Sequence, residues 1–597
     1  MKRTLTALLL AAVTVACEQY HVKQAALPAD ATPEERAAIA GRVVPTPQQL
    51  AWQQLELTAF LHFGINTFTG REWGDGQEDP ALFDPSDLDA DQWVRTLRDA
   101  GFKLVILTAK HHDGFCLWPT ATTSHSVASS PWRGGKGDVV GELHEACRKY
   151  GMRFGVYLSP WDRNAPSYGD SPRYNDLFDA QLTELLTRYG KVDEVWFDGA
   201  CGEGPNGRKQ EYDWERIYAT IERLQPEAVT AIMGQDVRWV GNEGGLGRTT
   251  EWSATALAPG GSAASAASNE QLGLTAMTQD LGGRDILSRA TAVYWWPSEV
   301  DVSIRPGWFY HQSEDAQVKS LRHLVDIYYS SVGRNSQLLL NIPPDRRGRI
   351  AAADSVRLRE LADYLDRTFA DDRIEGGAKL FRAEAGQSRE YDLKPQSRIN
   401  TVLLQEDIAR GQRVEAFTVE ALIDGAWTEV GRGTTIGYKR LLRIPEVEAS
   451  KLRITVDGTR LRCRISRVGA YLAPSLVETA ATTDDGLLPR DAWSVRRAMP
   501  LTVDLGEPRM IAGFVYAPGE ASERVAYKYR FEVSADGDTW TEAVADGEFS
   551  NMMYNAEPRR VAFDKPLPVR CFRLTATTVA GTPAEVEMQH IGLFGNE

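Results

Sequence analysis

Between about residues 55 and 345, short apolar runs of strand length alternate with amphipathic stretches of helix length, and this alternation restricts the fold more than any other feature. A strand that returns parallel to its neighbour needs a crossover, and a helix is the usual one. Strands are expected at Thr58–Ile65, Lys103–Thr108, Arg153–Leu158, Glu194–Asp198, Ala228–Met233, Thr250–Ser253, Ala292–Trp296 and Gln337–Ile342. Between them, Trp93, Leu97 and Ala100 share one helix face with Gly101 as the stop, and Asp176–Tyr189 and Trp214–Leu224 repeat the pattern. Eight such units predict an α/β fold, a (β/α)8 TIM-like barrel over residues 45–372 with its site at the C-terminal strand ends. A doubly wound open sheet is the alternative.

After a closing helix near Ala352–Thr368 the pattern becomes strictly β, and two segments there repeat each other. Phe417, Val419, Ala421 and Ile423 alternate ahead of Asp424-Gly425 and Trp427-Thr428-Glu429. Tyr527, Tyr529, Phe531 and Val533 alternate ahead of Asp536-Gly537 and Trp540-Thr541-Glu542. Arg453-Ile454-Thr455 is matched by Arg573-Leu574-Thr575, and Val468-Gly469 by Ile591-Gly592, in the same order. A duplicated all-β sandwich follows, with one copy in 373–475 and the other in 476–597. Both resemble discoidin-like domains, the fold of many carbohydrate-binding modules. Each copy is read either as a sugar-binding module or as one that only packs on the barrel.

At the N-terminus, Lys2 and Arg3 precede an apolar run, Leu5–Ala16, that is too short to span a bilayer. This reads as an export signal over residues 1–17. Thr14-Val15-Ala16-Cys17 resembles a bacterial lipobox, which implies membrane attachment through a lipidated Cys17; plain secretion with cleavage nearby is the alternative. The protein is thus expected to be periplasmic, anchored in the outer membrane or secreted. Residues 18–44 are rich in Ala, Glu and Pro without sustained periodicity and read as a linker. A formal charge of -15 with no basic stripe excludes nucleic acid as a partner. The cysteines other than Cys17 show no CxxC spacing, so no bridge is assigned. No oligomeric state is legible.

Two carboxyl groups stand where a barrel could use them to cleave a glycosidic bond. Val195-Trp196-Phe197-Asp198-Gly199 ends a strand on Asp198, at the tip that faces a barrel pocket. Glu243 lies on a glycine-flanked loop after the fifth expected strand, with Trp239 as a low-dielectric neighbour. Asp236 and Glu251 are its rivals. His62 follows the first strand, and His111-His112-Asp113 the second. On an extended segment the two adjacent His would point to opposite sides, and no further ligand falls at metal spacing, so no metal and no cofactor are expected. The imidazoles, with the indole edges of Trp73 and Trp308, suit sugar hydroxyls instead.

The runs Pro47-Gln48-Gln49-Leu50-Ala51-Trp52, His62-Phe63-Gly64, Glu72-Trp73-Gly74 and Lys110-His111-His112-Asp113-Gly114-Phe115 resemble glycoside hydrolase family 29. So do Trp196-Phe197-Asp198-Gly199, Arg305-Pro306-Gly307-Trp308-Phe309, Gly333-Arg334-Asn335 and Leu339-Leu340-Asn341-Ile342-Pro343. The resemblance covers about residues 45–370 and implies an exo-acting, retaining α-L-fucosidase acting on fucosylated oligosaccharides or glycoproteins. It implies Asp198 as nucleophile and Glu243 as acid/base, at the position of the subgroup preferring α-1,3/1,4-linked fucose. It further implies His62, Glu72, Trp73, His111, His112 and Tyr157 as fucose ligands, and Trp308 as the wall beside the C5 methyl. The alternatives are α-1,2-fucosides or α-L-galactosides as substrates, or an inactive glycan-binding adhesin; the presence of both carboxylates speaks against the adhesin.

Overall fold

The computed structural model describes residues 22–377, 380–476, 495–519, 524–549, 552, 554–555, 557–579 and 585–595. The export signal and Cys17 lie outside the described residues. Eight parallel strands form the barrel: β1 (Leu57–Leu61), β2 (Leu104–Lys110), β3 (Arg153–Leu158), β4 (Glu194–Phe197), β5 (Val229–Ile232), β6 (Arg238–Trp239), β7 (Ser298–Ser303) and β8 (Gln337–Asn341). Their order around the sheet is β5-β4-β3-β2-β1-β8-β7-β6, and a single parallel bridge between Ala231 and Val237 brings its ends together.

The outer helices are α1 (Ala90–Asp99), α2 (Val139–Tyr150), α3 (Ser171–Arg188), α4 (Trp214–Leu224), α5 (Leu321–Ser330) and α6 (Ala352–Phe369). Aspartates start several of them: Asp89 accepts from the Gln92 amide, Asp138 from Gly141 and Asp213 from Arg216, each satisfying an otherwise orphaned first-turn N–H. α1 buries Trp93 and Leu97, with Ala100 just past its end, as the spacing predicts, and Val94 beside them, and the Trp93 indole donates to the Gly348 carbonyl at 2.9 Å. Full burial of each such side chain contributes about 1.5–3 kcal/mol. α2 stops on Gly151 at φ 68°, where a left-handed residue closes the helix.

The sixth and seventh barrel strands differ from expectation. Thr250–Ser253 is not a strand, and Ala292–Trp295 leaves the barrel for a three-stranded antiparallel sheet with Gln24–Ala26 and Ala254–Thr255. In their place stand the two-residue β6 and the polar β7, Ser-Glu-Val-Asp-Val-Ser. Its Glu299 and Asp301 side chains enter a barrel interior otherwise lined by Phe60, Leu104, Ile106, Val229 and Leu339, and there they meet indole donors. The Trp196 indole donates to Glu299 at 2.8 Å, and Trp52 donates in the same way to Glu194. Burial pushes both carboxyls up, Glu194 to about 8.

The segment read as a linker is folded from Val22 onward. Thr32 opens a helix, Pro33–Ala40, with a capping box, and Leu27, Ala40 and Val43 pack against the chain excursion between β6 and β7. Buried Arg36 donates to the carbonyls of Pro28, Leu287 and Ala290. Its apolar residues are too few to show periodicity, and their partners lie some 250 residues away.

After the barrel the chain forms two six-stranded antiparallel sheets. In the first, spatial order runs Phe381–Ala383, Cys463–Tyr471, Gln387–Glu406, Arg440–Thr459, Val414–Ile423, Ala426–Gly433. The second follows the same order with Val495–Ala498, Glu585–Phe594, Leu501–Pro518, Arg559–Val579, Ala526–Ser534 and Thr541–Glu548. The long strands carry register shifts that let them bend, and each sheet encloses its own apolar core. The repeated motifs coincide in space. Arg453 lies 4.2 Å over Trp427 and pairs with Glu420, and Arg573 lies 4.3 Å over Trp540 and pairs with Glu532.

Candidate active site

The strand ends open into a cavity of about 850 Å³, and all nine side chains that the family resemblance implies line it, whereas Asp236 and Glu251 do not. Its floor is aromatic: Tyr157 stacks on Trp196 at 5.2 Å, and Trp308 tilts over His62 at 4.9 Å. Asp198, just past β4, accepts from the Tyr157 hydroxyl at 3.0 Å and from the Ala200 amide at 2.8 Å. These donors hold its carboxylate at the pocket surface, with about a quarter of the side chain exposed.

The histidine tautomers follow from their partners. Asn341 Nδ2 donates to Ser303 Oγ and to the Trp308 carbonyl, which turns its Oδ1 toward His62. His62 Nδ1, 2.9 Å away, therefore holds the proton, and Nε2 is an acceptor. Ser159 gives its own hydrogen to the Trp161 carbonyl, so at 2.7 Å it accepts from His112 Nδ1. His112 Nε2, 3.9 Å from Asp198 Oδ2, is then a second acceptor, placed beside the carboxylate. Burial lowers the pKa of His62 to about 3 and depresses those of His111 and His112, so the cluster is neutral near pH 7.

His111 and His112 do not point apart. The chain turns after β2, with the Gly114 amide donating to the His111 carbonyl and Gly114 at φ 81°, and the two rings lie 4.1 Å apart on the same cavity. Lys110 anchors the turn from inside: it is fully buried, with Nζ on Asp162 at 3.0 Å and on Gln181 Oε1 at 2.9 Å. Trp73, nearly half exposed, stands edge-on to His112 and Trp161. Gly74 beside it has no room for a side chain, since a Cβ there would lie 2.7 Å from Asn66 Oδ1.

Glu72 is already occupied within the protein. Its carboxylate accepts from the Trp308 and Phe309 amides and pairs with His311 Nε2 at 2.9 Å. Burial opposes a charge on His311, but Glu72 outweighs it and raises the imidazole to about 9. The pair thus fixes the segment that presents Trp308.

Glu243 follows β6 rather than the fifth strand, because the chain folds back after β5 with the amides of Asp236 and Val237 on the Thr230 carbonyl. Its neighbour is Trp308, whose indole reaches Oε2 at 3.3 Å, while the Trp239 indole goes to Asp301 at 2.8 Å. Burial, then the charges of Asp301, Asp198 and Glu72, push Glu243 well above the usual carboxylate range. The two rivals are engaged elsewhere. Asp236 pairs with Lys23 and caps Thr230, and buried Glu251 pairs with Arg238 and Arg248.

Asp301, absent from the sequence reading, lines the cavity from β7, and burial raises it to about 7. Its signal was available: Glu299 and Asp301 alternate along one strand, so both face the barrel interior. Among the described residues, no cluster of three or more His, Cys, Asp or Glu is arranged to hold a metal ion.

Comparison with known proteins identifies the family. A family model described as alpha-L-fucosidase matches residues 48–368, and an F5/8 type C domain model matches residues 476–588. A crystal structure from Bacteroides ovatus, provisionally assigned as an α-L-fucosidase, is 62% identical, with a TM-score of 0.77 over 97% of this chain and 100% of that one. A glycoside hydrolase 29 family member from a rumen bacterium is 38% identical, with a TM-score of 0.65 over 93% of this chain and 99% of its own. Alpha-L-fucosidase 1 of Arabidopsis thaliana is 41% identical across 72% of this chain and 87% of its own.

Proposed function

The chain belongs to the α-L-fucosidases of glycoside hydrolase family 29, and from that premise we propose that it removes terminal α-1,3/1,4-linked L-fucose with retention, through a covalent fucosyl–Asp198 intermediate. The observation that supports this reading is the contrast between two carboxyl groups sharing one cavity. Asp198 is oriented by two hydrogen-bond donors at the pocket surface, a placement that suits a nucleophile. Glu243 is buried among like charges, which favour the protonated form and suit a general acid. His62 and His112 present acceptor nitrogens for sugar hydroxyls, and Trp308 offers an apolar face for a methyl group. Fucosylated oligosaccharides and glycoproteins are the proposed substrates, met outside the cytoplasm if residues 1–17 direct export.

Time-resolved NMR of the released sugar tests the mechanism. α-L-Fucose is expected to appear before its slower anomerisation, and β-L-fucose as the first product would overturn the reading. A panel of defined α-1,2, α-1,3, α-1,4 and α-1,6 fucosides tests the linkage, with the α-1,3 and α-1,4 members expected to turn over fastest.

Glu243 must be protonated to release the leaving group, so activity falls as pH rises through its raised pKa. Asp301 is the largest neighbouring charge holding that pKa up. Asp301→Asn keeps an oxygen for the Trp239 indole but removes the charge, so ionisation of Glu243 becomes easier. The alkaline limb of kcat/KM on an oligosaccharide is expected to move to lower pH while the acid limb stays in place. An unmoved alkaline limb would detach Asp301 from the acid.

A further inference from the structure

The cavity is larger than one fucose needs, and part of its wall comes from the second C-terminal sheet. Tyr527, Lys528, Glu548 and Tyr554 line the same space as Asp198 and Glu243, although they lie more than 280 residues downstream. The contact is specific. The Glu243 amide donates to the Tyr554 carbonyl at 3.2 Å, and the Tyr554 ring meets Trp239 edge-on at 5.3 Å. The sheet is also fastened to the barrel beside the cavity. Glu557 pairs with the buried Lys319 at 2.8 Å and with His323 at 3.4 Å, and Gln317 exchanges two hydrogen bonds with the Arg560 backbone.

A general acid stands on the leaving-group side of the bond it breaks. Whatever closes around the Glu243 loop from outside the barrel therefore faces the sugar that departs. We propose that this sheet forms the subsite for that sugar, with Tyr554 and Lys528 as specificity-determining residues that bind a pyranose leaving group. The inference rests on Glu243 as the acid. Tyr554, 39% exposed, offers a ring for the C–H face of a pyranose, and the exposed Lys528 ammonium and the Glu548 carboxylate offer partners of both hydrogen-bonding kinds for its hydroxyls. The duplicated first sheet has the same topology but, among the described residues, contributes none to this cavity, so the assignment belongs to the second copy.

The test compares two substrates on the full-length protein: the fucosylated trisaccharide the wild type cleaves best, and 4-nitrophenyl α-L-fucoside, which lacks the second sugar. For Tyr554→Ala and for Lys528→Ala, the ratio of kcat/KM on the trisaccharide to kcat/KM on the aryl fucoside is expected to fall about tenfold, through a raised KM for the trisaccharide. A ratio within twofold of wild type in both variants overturns the proposal. That holds whether both activities drop together, as they would if the sheet merely supported the Glu243 loop, or neither moves. Lys528→Ala keeps the test decisive if Tyr554→Ala does not fold. An error in the role of Glu243 would show separately, as full trisaccharide activity in Glu243→Ala.

Discussion

Asp198→Ala is expected to lower kcat/KM roughly 10⁴-fold or more on every α-L-fucoside, aryl or oligosaccharide alike, since removing a covalent nucleophile leaves only binding and electrostatic help. Leaving-group quality does not rescue it, because in the proposed mechanism the missing group is the one that attacks carbon. The pocket around it should survive. Tyr157 loses its acceptor, but its ring stays stacked on Trp196, so fucose itself should still bind. Azide is small enough to enter the space left by the carboxylate and attacks from the same face, in a single displacement. The product is then β-L-fucosyl azide, inverted relative to the substrate. More than a tenth of wild-type activity in this variant, or an azide product of α configuration, would remove Asp198 from the chemistry.

Glu243→Ala should behave differently. On oligosaccharides, whose sugar leaving groups need a proton, kcat/KM is expected to fall about 10²- to 10⁴-fold, the usual contribution of a positioned acid. On 4-nitrophenyl α-L-fucoside the first step should be largely spared, because the phenolate departs unaided. Breakdown of the intermediate then limits turnover, since water has lost its general base, and a burst of nitrophenol should precede a slow steady rate. Azide needs no base. It should accelerate the steady phase and give α-L-fucosyl azide, because two displacements restore the original configuration. Full activity of Glu243→Ala on natural glycans would move the acid role to Asp301, the neighbouring cavity carboxyl, since Asp236 and Glu251 are tied up in ion pairs.

The parts of this molecule that were legible in its sequence are those where local chemistry and final environment agree. Strands such as Leu104–Lys110 and Arg153–Leu158 are almost wholly buried, so their apolar runs announce them. The place of Asp198 at the cavity is legible because a residue that ends an apolar barrel strand lies at the pocket end. β7 fails the same test, since its Ser, Glu and Asp side chains find indole and hydroxyl partners inside the barrel that hydropathy does not see. The turn that brings His111 and His112 together depends on a buried lysine held by Asp162 and Gln181, on other elements. Val22–Val44 and the Tyr554 contact depend on partners hundreds of residues away, where no local pattern can report them.

The two C-terminal sheets share a strand order and a tryptophan–arginine–glutamate cluster, yet they meet the barrel through unrelated residues. The first is tied at Glu56 and Asp326 by Lys439 and Arg443; the second reaches Lys319 through Glu557. A repeat whose folding is settled among its own six strands leaves its rim free to drift. The ties of the first copy are independent of the second, so a change at the rim of the second leaves the Glu56 and Asp326 contacts in place. If that rim holds the departing sugar, exchanging its side chains alters which leaving group is accepted while the barrel side chains of the cavity stay unchanged.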